Sequence, residues 1–171
     1  MTRTLSFLLL FAVSQIGLFG KVFHVYSPSP KENALWFVKA TPQGEGLKLE
    51  ASEKVEFDFS GRVITAHPSK PLLYVTATGG DPGKVPGAVV FLNKDGSYQK
   101  HQKVNFNDGA CYLSIDKENR HILGVSYRNG RLNVYPLDDN GIPGKAITTI
   151  DEGKREAHCV LLPPDGKNIY V

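Results

Sequence analysis

The chain has 171 residues, 41% hydrophobic and 22% charged, a composition that excludes general disorder. Its net charge is only +3, from 20 basic against 17 acidic residues, with no concentrated basic stripe, so no nucleic-acid partner is expected. Two cysteines exclude a disulfide-dense mini-protein and a four-thiolate zinc site.

The chain opens with Arg3 and then an uncharged stretch from Thr4 to Gly20 whose centre, Leu5 to Val13, is apolar. A basic residue before a short apolar core reads as a secretory signal peptide over residues 1–20, cleaved after Ser14 or after Gly20. The alternative is an uncleaved N-terminal anchor, since the uncharged run is at the lower limit for spanning a bilayer. The first reading places the mature chain in the periplasm or outside the cell without stable membrane insertion. A cytoplasmic chain with a hydrophobic start is the other possibility.

From residue 21 onward no Gly- and Pro-free window keeps the helical i, i+3, i+4, i+7 apolar pattern. Short strand-like runs recur instead. In chain order they are Val22–Tyr26, Ala34–Val38, Arg62–Ala66, Leu72–Thr76, Ala88–Leu92, Tyr98–Val104, Cys111–Ile115, His121–Ser126, Arg131–Tyr135, Ala146–Ile150, His158–Leu162 and Asn168–Val171. Asp95-Gly96, Asn129-Gly130, Asn140-Gly141 and Asp165-Gly166 supply turns between them. The predicted class is all-β, a mostly antiparallel meander.

The meander repeats. Val63–Val75, Cys111–Val125 and Cys159–Val171 align, and Pro68, Asp116 and Pro164 fall 48 residues apart. Four strands in a period of that length are the signature of β-propeller blades, with a sandwich as the alternative. The 151 residues after the leader hold about three blades, whereas propellers close with about four to eight. Val171 falls inside a predicted strand, so residues 21–171 are expected to be the N-terminal part of a longer propeller, truncated in a blade.

In a blade the innermost strand lines the central channel. The loops entering it, here Phe106–Ala110 and Asp151–Ala157, share a face with the loops between second and third strands, here Gly79–Gly87 and Tyr127–Gly130. That rim is expected to gather Tyr127, Arg128, Asn129, Lys154, Arg155 and His158. An imidazole can activate water or polarise a carbonyl near neutral pH, which makes His158 the candidate catalytic group. Lys154 and Arg155 are candidates to hold an anionic substrate, and Tyr127 to donate a hydrogen bond to it. No histidine pair has zinc-ligand spacing, and no nucleotide-binding loop or nucleophile elbow occurs, so neither metal nor cofactor is expected. Cys111 and Cys159 occupy equivalent blade positions and are expected to be two buried thiols.

From Lys21 to Val171 the sequence resembles the lactonase family of seven-bladed propellers, the group that includes the bacterial propeller-type 6-phosphogluconolactonases. The stretches that carry the resemblance are Val22–Pro28 with Ala34–Val38, His67–Val75, Gly124–Val134 and Ala157–Val171. The most specific feature is Ser126-Tyr127-x-x-Gly130 followed by Ala157-His158 and Pro164-Asp165-Gly166. The resemblance implies seven blades, of which about three are present, and a monomer when full length. It also implies hydrolysis of a small-molecule sugar-acid lactone, with His158 in the catalytic cluster and its Arg and Glu partners in later blades. An exported, non-catalytic propeller that binds protein or glycan is the alternative.

Overall fold

The computed structural model describes residues 22–151, 153, 156–163 and 165–171. The proposed leader (residues 1–20), Lys154 and Arg155 lie outside the described residues.

Eleven strands and a single 3-10 turn at Pro30–Glu32 make up the described secondary structure, with no α-helix. The first sheet pairs β1 (Phe23–Ser29), β2 (Ala34–Gln43) and β3 (Gly46–Glu56) in that order. The second is β4 (Val63–Ala66), β5 (Leu72–Thr76), β6 (Val85–Leu92) and β7 (Tyr98–Phe106). The third is β8 (Tyr112–Ile115), β9 (His121–Ser126), β10 (Arg131–Pro136) and β11 (Thr148–Asp151). Every pairing is antiparallel between chain neighbours, so each sheet is a simple meander. The predicted four-strand repeat is therefore present, with β1, β2 and β3 in the positions of β5, β6 and β7.

Burial follows each strand's place in its sheet. All five residues of β5 (Leu-Leu-Tyr-Val-Thr) are buried, and β9 is buried over Ile122–Ser126. A strand covered on both faces must be apolar throughout. The outer strand β7 instead exposes Gln99, Lys100, Gln102, Lys103 and Asn105 and buries Phe106, and β11 is exposed throughout. One core runs between the sheets, from Leu35 and Phe37 through Val75 and Val89 to Ile122 and Tyr135. The innermost strands β4 and β8 lie side by side.

The sheets are also tied by a repeated polar latch. Tyr26 donates to the Gly96 carbonyl and Tyr74 donates to the Gly141 carbonyl, each at 2.9 Å. The two tyrosines are 48 residues apart, and each reaches a glycine in a turn of the following sheet. Both glycines have positive φ, 87° and 80°, which suits residues without Cβ. Burial, with help from Asp95, pushes the Tyr26 hydroxyl up to about 12. Burial, with help from Asp138, raises Tyr74 as well. Both therefore remain protonated donors.

The sequence expectation fails in three places. Gly46–Glu56 forms the eleven-residue strand β3 although no apolar run predicts it. Nine of its first ten residues are exposed and Val55 alone is buried, because it is the outer strand of its sheet. Gly87 belongs to β6, so the loop before that strand closes at 84. Finally, His158–Leu162 and Asn168–Val171 do not form strands; they share one isolated bridge, between Leu161 and Tyr170. Two short segments without flanking strands are marginal as a sheet in water, and Pro163 contributes no N–H.

Candidate functional site

The loops predicted to share a face do so. Gly83 of the β5–β6 loop donates its N–H to the Asn107 carbonyl of the β7–β8 loop at 2.7 Å. Glu156 donates its N–H to the Tyr127 carbonyl at 2.9 Å, which joins the segment after β11 to the β9–β10 hairpin. A Cβ built at Gly109 would overlap the Thr78 and Gly79 backbone, so the second and third sheets approach there through a position only glycine fits.

Tyr127 follows β9 directly, at the start of a hairpin closed by Gly130 N–H donating to the Ser126 carbonyl at 2.9 Å. Asn129-Gly130 suits this turn because Gly130 takes φ of 64°. His158 is reached through the Glu156 anchor. The two rings meet edge to face, with centroids 5.6 Å apart and planes at 75°. That geometry matches the favoured contact of aromatic rings. Both residues are exposed on the rim. Tyr127 and His158, predicted as neighbours, are thus brought together.

Arg128 and Asn129 turn to another part of the rim. With Pro82, Arg131 and Gly153 they line an open recess of about 370 Å³. Arg131 donates through Nε to Asp151 at 2.8 Å, and its guanidinium lies 3.7 Å from Asp108. The bond to Asp151, and then the charges of Asp151 and Asp108, raise Arg131 further above its ordinary value.

Beneath this hairpin lies a polar network of which the expected rim residues included only Asn129. Asp108 is 3% exposed and Asn133 1%. Asp108 accepts from the Asn129 amide at 2.8 Å and from the Asn133 amide at 2.9 Å. Asn133 in turn accepts from Thr149 Oγ1 at 2.7 Å and from Asn107 Nδ2 at 3.0 Å. The Tyr135 hydroxyl accepts the Asn107 N–H at 2.8 Å, and burial, offset in part by the backbone bonds of Asn107 and Asp108, pushes it up to about 12. Buried polar groups of this kind are tolerated only when hydrogen-bonded. The network fixes the base of the hairpin that carries Tyr127. The signal was visible in Arg131-Leu132-Asn133-Val134, where an amide interrupts an otherwise apolar strand.

The cysteines differ from expectation in one respect. Cys111 and Cys159 are free thiols, but each is half-buried rather than fully enclosed, because the segment around Cys159 has no complete sheet around it.

A family profile described as "Lactonase, 7-bladed beta-propeller" matches residues 34–171. The chain belongs to this lactonase family. Among curated proteins it is 27% identical over 149 residues to a 6-phosphogluconolactonase of Klebsiella pneumoniae, covering 86% of this chain and 42% of that one. The chain therefore spans less than half the length of the curated relatives it matches. Among solved structures, the periplasmic gluconolactonase of Pseudomonas aeruginosa aligns with TM-score 0.68 at 14% identity, over 87% of this chain and 46% of that one. The hydrazine synthase of Kuenenia stuttgartiensis aligns with TM-score 0.53 at 15% identity, over 94% of this chain and 44% of that one. At these identities the structural likenesses establish the fold alone.

Proposed function

We propose that these 171 residues supply the first three blades of a seven-bladed lactonase that hydrolyses a sugar-acid lactone. The favoured reaction is 6-phosphogluconolactonase-like, converting 6-phosphoglucono-lactone to 6-phosphogluconate. The observation that carries the reading is the lactonase profile match over residues 34–171. Its coverage of 42% of the Klebsiella relative's length suits three blades of seven.

The chemistry is as follows. His158 takes a proton from water, whose oxygen attacks the lactone carbonyl carbon. The carbonyl oxygen gains charge in the tetrahedral intermediate, and a positioned donor there is worth about 3–4 kcal/mol. The ring C–O bond then breaks, and the departing ring oxygen takes the proton from the imidazolium. The product is the open-chain hydroxy acid. Tyr127 donates to a sugar hydroxyl beside His158, and Lys154 and Arg155 bind the anionic substituent. The remaining charged groups of the cluster belong to later blades.

The leader pattern of residues 1–20 supports export to the periplasm or beyond, where an unphosphorylated lactone is the more accessible substrate. The test is acid release by the full-length gene product, measured by pH-stat with 6-phosphoglucono-δ-lactone and with glucono-δ-lactone. Hydrolysis of either above the spontaneous rate supports the lactonase, and the faster one identifies the substrate class. No acceleration of either would overturn it in favour of a propeller that binds protein or glycan.

A further inference from the structure

Cys111 sits immediately before β8, and Cys159 lies 48 residues on, in the segment that carries His158. The backbone of Cys111 is fixed by its N–H, which donates to the Val125 carbonyl at 2.8 Å. Its sulfur reaches across to the neighbouring segment. The thiol donates to the Val125 carbonyl at 3.3 Å and the Ala157 carbonyl at 3.2 Å, and the His158 carbonyl is 3.7 Å away. The two residues just before Cys159 thus present their carbonyls to this one sulfur. Standard peptide dimensions then put the Cα of Cys159 within about 6.5 Å of it. The Cα of Cys111 lies about 2.8 Å from its own sulfur, so the two Cα atoms are at most about 9 Å apart. A disulfide needs no more than about 7 Å, so rotation of the side chains and a shift of the 157–160 segment by about 2 Å suffice. Around Cys159 the segment is held by the Glu156 N–H, the fully buried Val160 side chain and the Leu161–Tyr170 bridge, while Cys159 itself is half-buried between these anchors.

We propose that Cys111 and Cys159 are a redox-responsive pair that closes into a disulfide between successive blades and tethers the segment bearing His158 to the rim. The oxidant is a low-molecular-weight disulfide such as oxidised glutathione. The Cys159 thiolate attacks it and releases one small thiol. The Cys111 sulfur then attacks the Cys159 sulfur of the mixed disulfide and releases the second. Two protein thiols and one small disulfide become one protein disulfide and two small thiols. Burial, eased by the backbone bonds around it, pushes the Cys111 thiol up, which slows its attack on the small disulfide and leaves that first step to Cys159. The pairing does not depend on the lactonase reading; only its consequence for His158 does.

The test is peptide mapping of the purified protein after equilibration with oxidised glutathione under native conditions, blocking with iodoacetamide and non-reducing trypsin digestion. The expected product links Val104–Lys117 to Glu156–Lys167, lighter than the two free peptides together by two hydrogens. It should vanish in Cys111→Ser and in Cys159→Ser. Alkylation of both cysteines, or separate glutathione adducts on each, would overturn the proposal; both readouts are made on the wild-type chain, so the folding of the variants does not enter. In the linked form the amides of residues 157–160 should exchange with solvent more slowly than in the reduced form. Equal exchange in the two forms would overturn the tethering.

Discussion

At the scale of single residues, Asp108 carries the most structural responsibility. It satisfies the buried Asn133 amide and the Asn129 amide at once. Asp108→Ala removes both acceptors and leaves a buried donor unpaired, which should cost about 3 kcal/mol of stability. Urea unfolding followed by circular dichroism would measure it, and an effect below about 0.5 kcal/mol, typical of surface positions, would contradict the network's role. His67 governs a different property. It is 5% exposed, and its Nδ1 accepts the N–H groups of Ser69 and Lys70 at 3.1 and 3.0 Å, capping the turn before β5. Burial first, and Lys70 second, hold its imidazole below the ordinary histidine value. The unfolded chain therefore binds the proton more readily than the folded one. Stability should be complete above about pH 6.5 and fall as pH drops below that value toward the depressed folded value. His67→Asn keeps an acceptor for the turn and removes the titration, so its unfolding midpoint should be flatter with pH over this window. An unchanged slope would remove His67 as the cause.

At the scale of elements, the latch between sheets makes a separable prediction. Tyr74→Phe keeps the ring and removes one buried hydrogen bond to Gly141, a loss of about 1 kcal/mol. Gly141→Ala should cost more, because φ is 80° and a Cβ there would meet Leu72 Cδ1 at 2.6 Å. Thermal unfolding of the two variants would rank them, and the reverse order would contradict the latch geometry. The same scale shows what the sequence made legible. The middle strands β5, β6, β9 and β10 were readable because burial on both faces demands runs such as Leu72–Thr76. The outer strand β3 was not, since Lys and Glu are depleted in strands generally and only its pairing to β2, from Ala34↔Glu56 to Gln43↔Gly46, makes it one. At the site, a rim shared by Tyr127 and His158 followed from blade arithmetic. Asp108 did not, because an Asn-Asp-Gly loop reads as an ordinary turn until the chain folds Asn129 and Asn133 onto it.

At the scale of the whole molecule, apolar side chains remain uncovered on the third sheet and the segment beyond it. Ile147, Ile150, Leu161, Ile169, Tyr170 and Val171 are all at least 45% exposed. In a closed ring such a face packs against the next blade, and left open it favours association. The isolated 171-residue chain should therefore self-associate, and light scattering should show particles larger than a monomer; a monodisperse monomer would contradict this reading. In the reaction we propose, the rim around His158 performs lactone hydrolysis in the complete ring. The most direct test compares lactone hydrolysis by the full-length protein and by its His158→Ala variant, with thermal unfolding measured on both. His158 is exposed on the rim, so the variant should fold normally. The account predicts a rate lower by about a hundredfold or more, as expected for loss of a general base. An unchanged rate in a folded variant would contradict it.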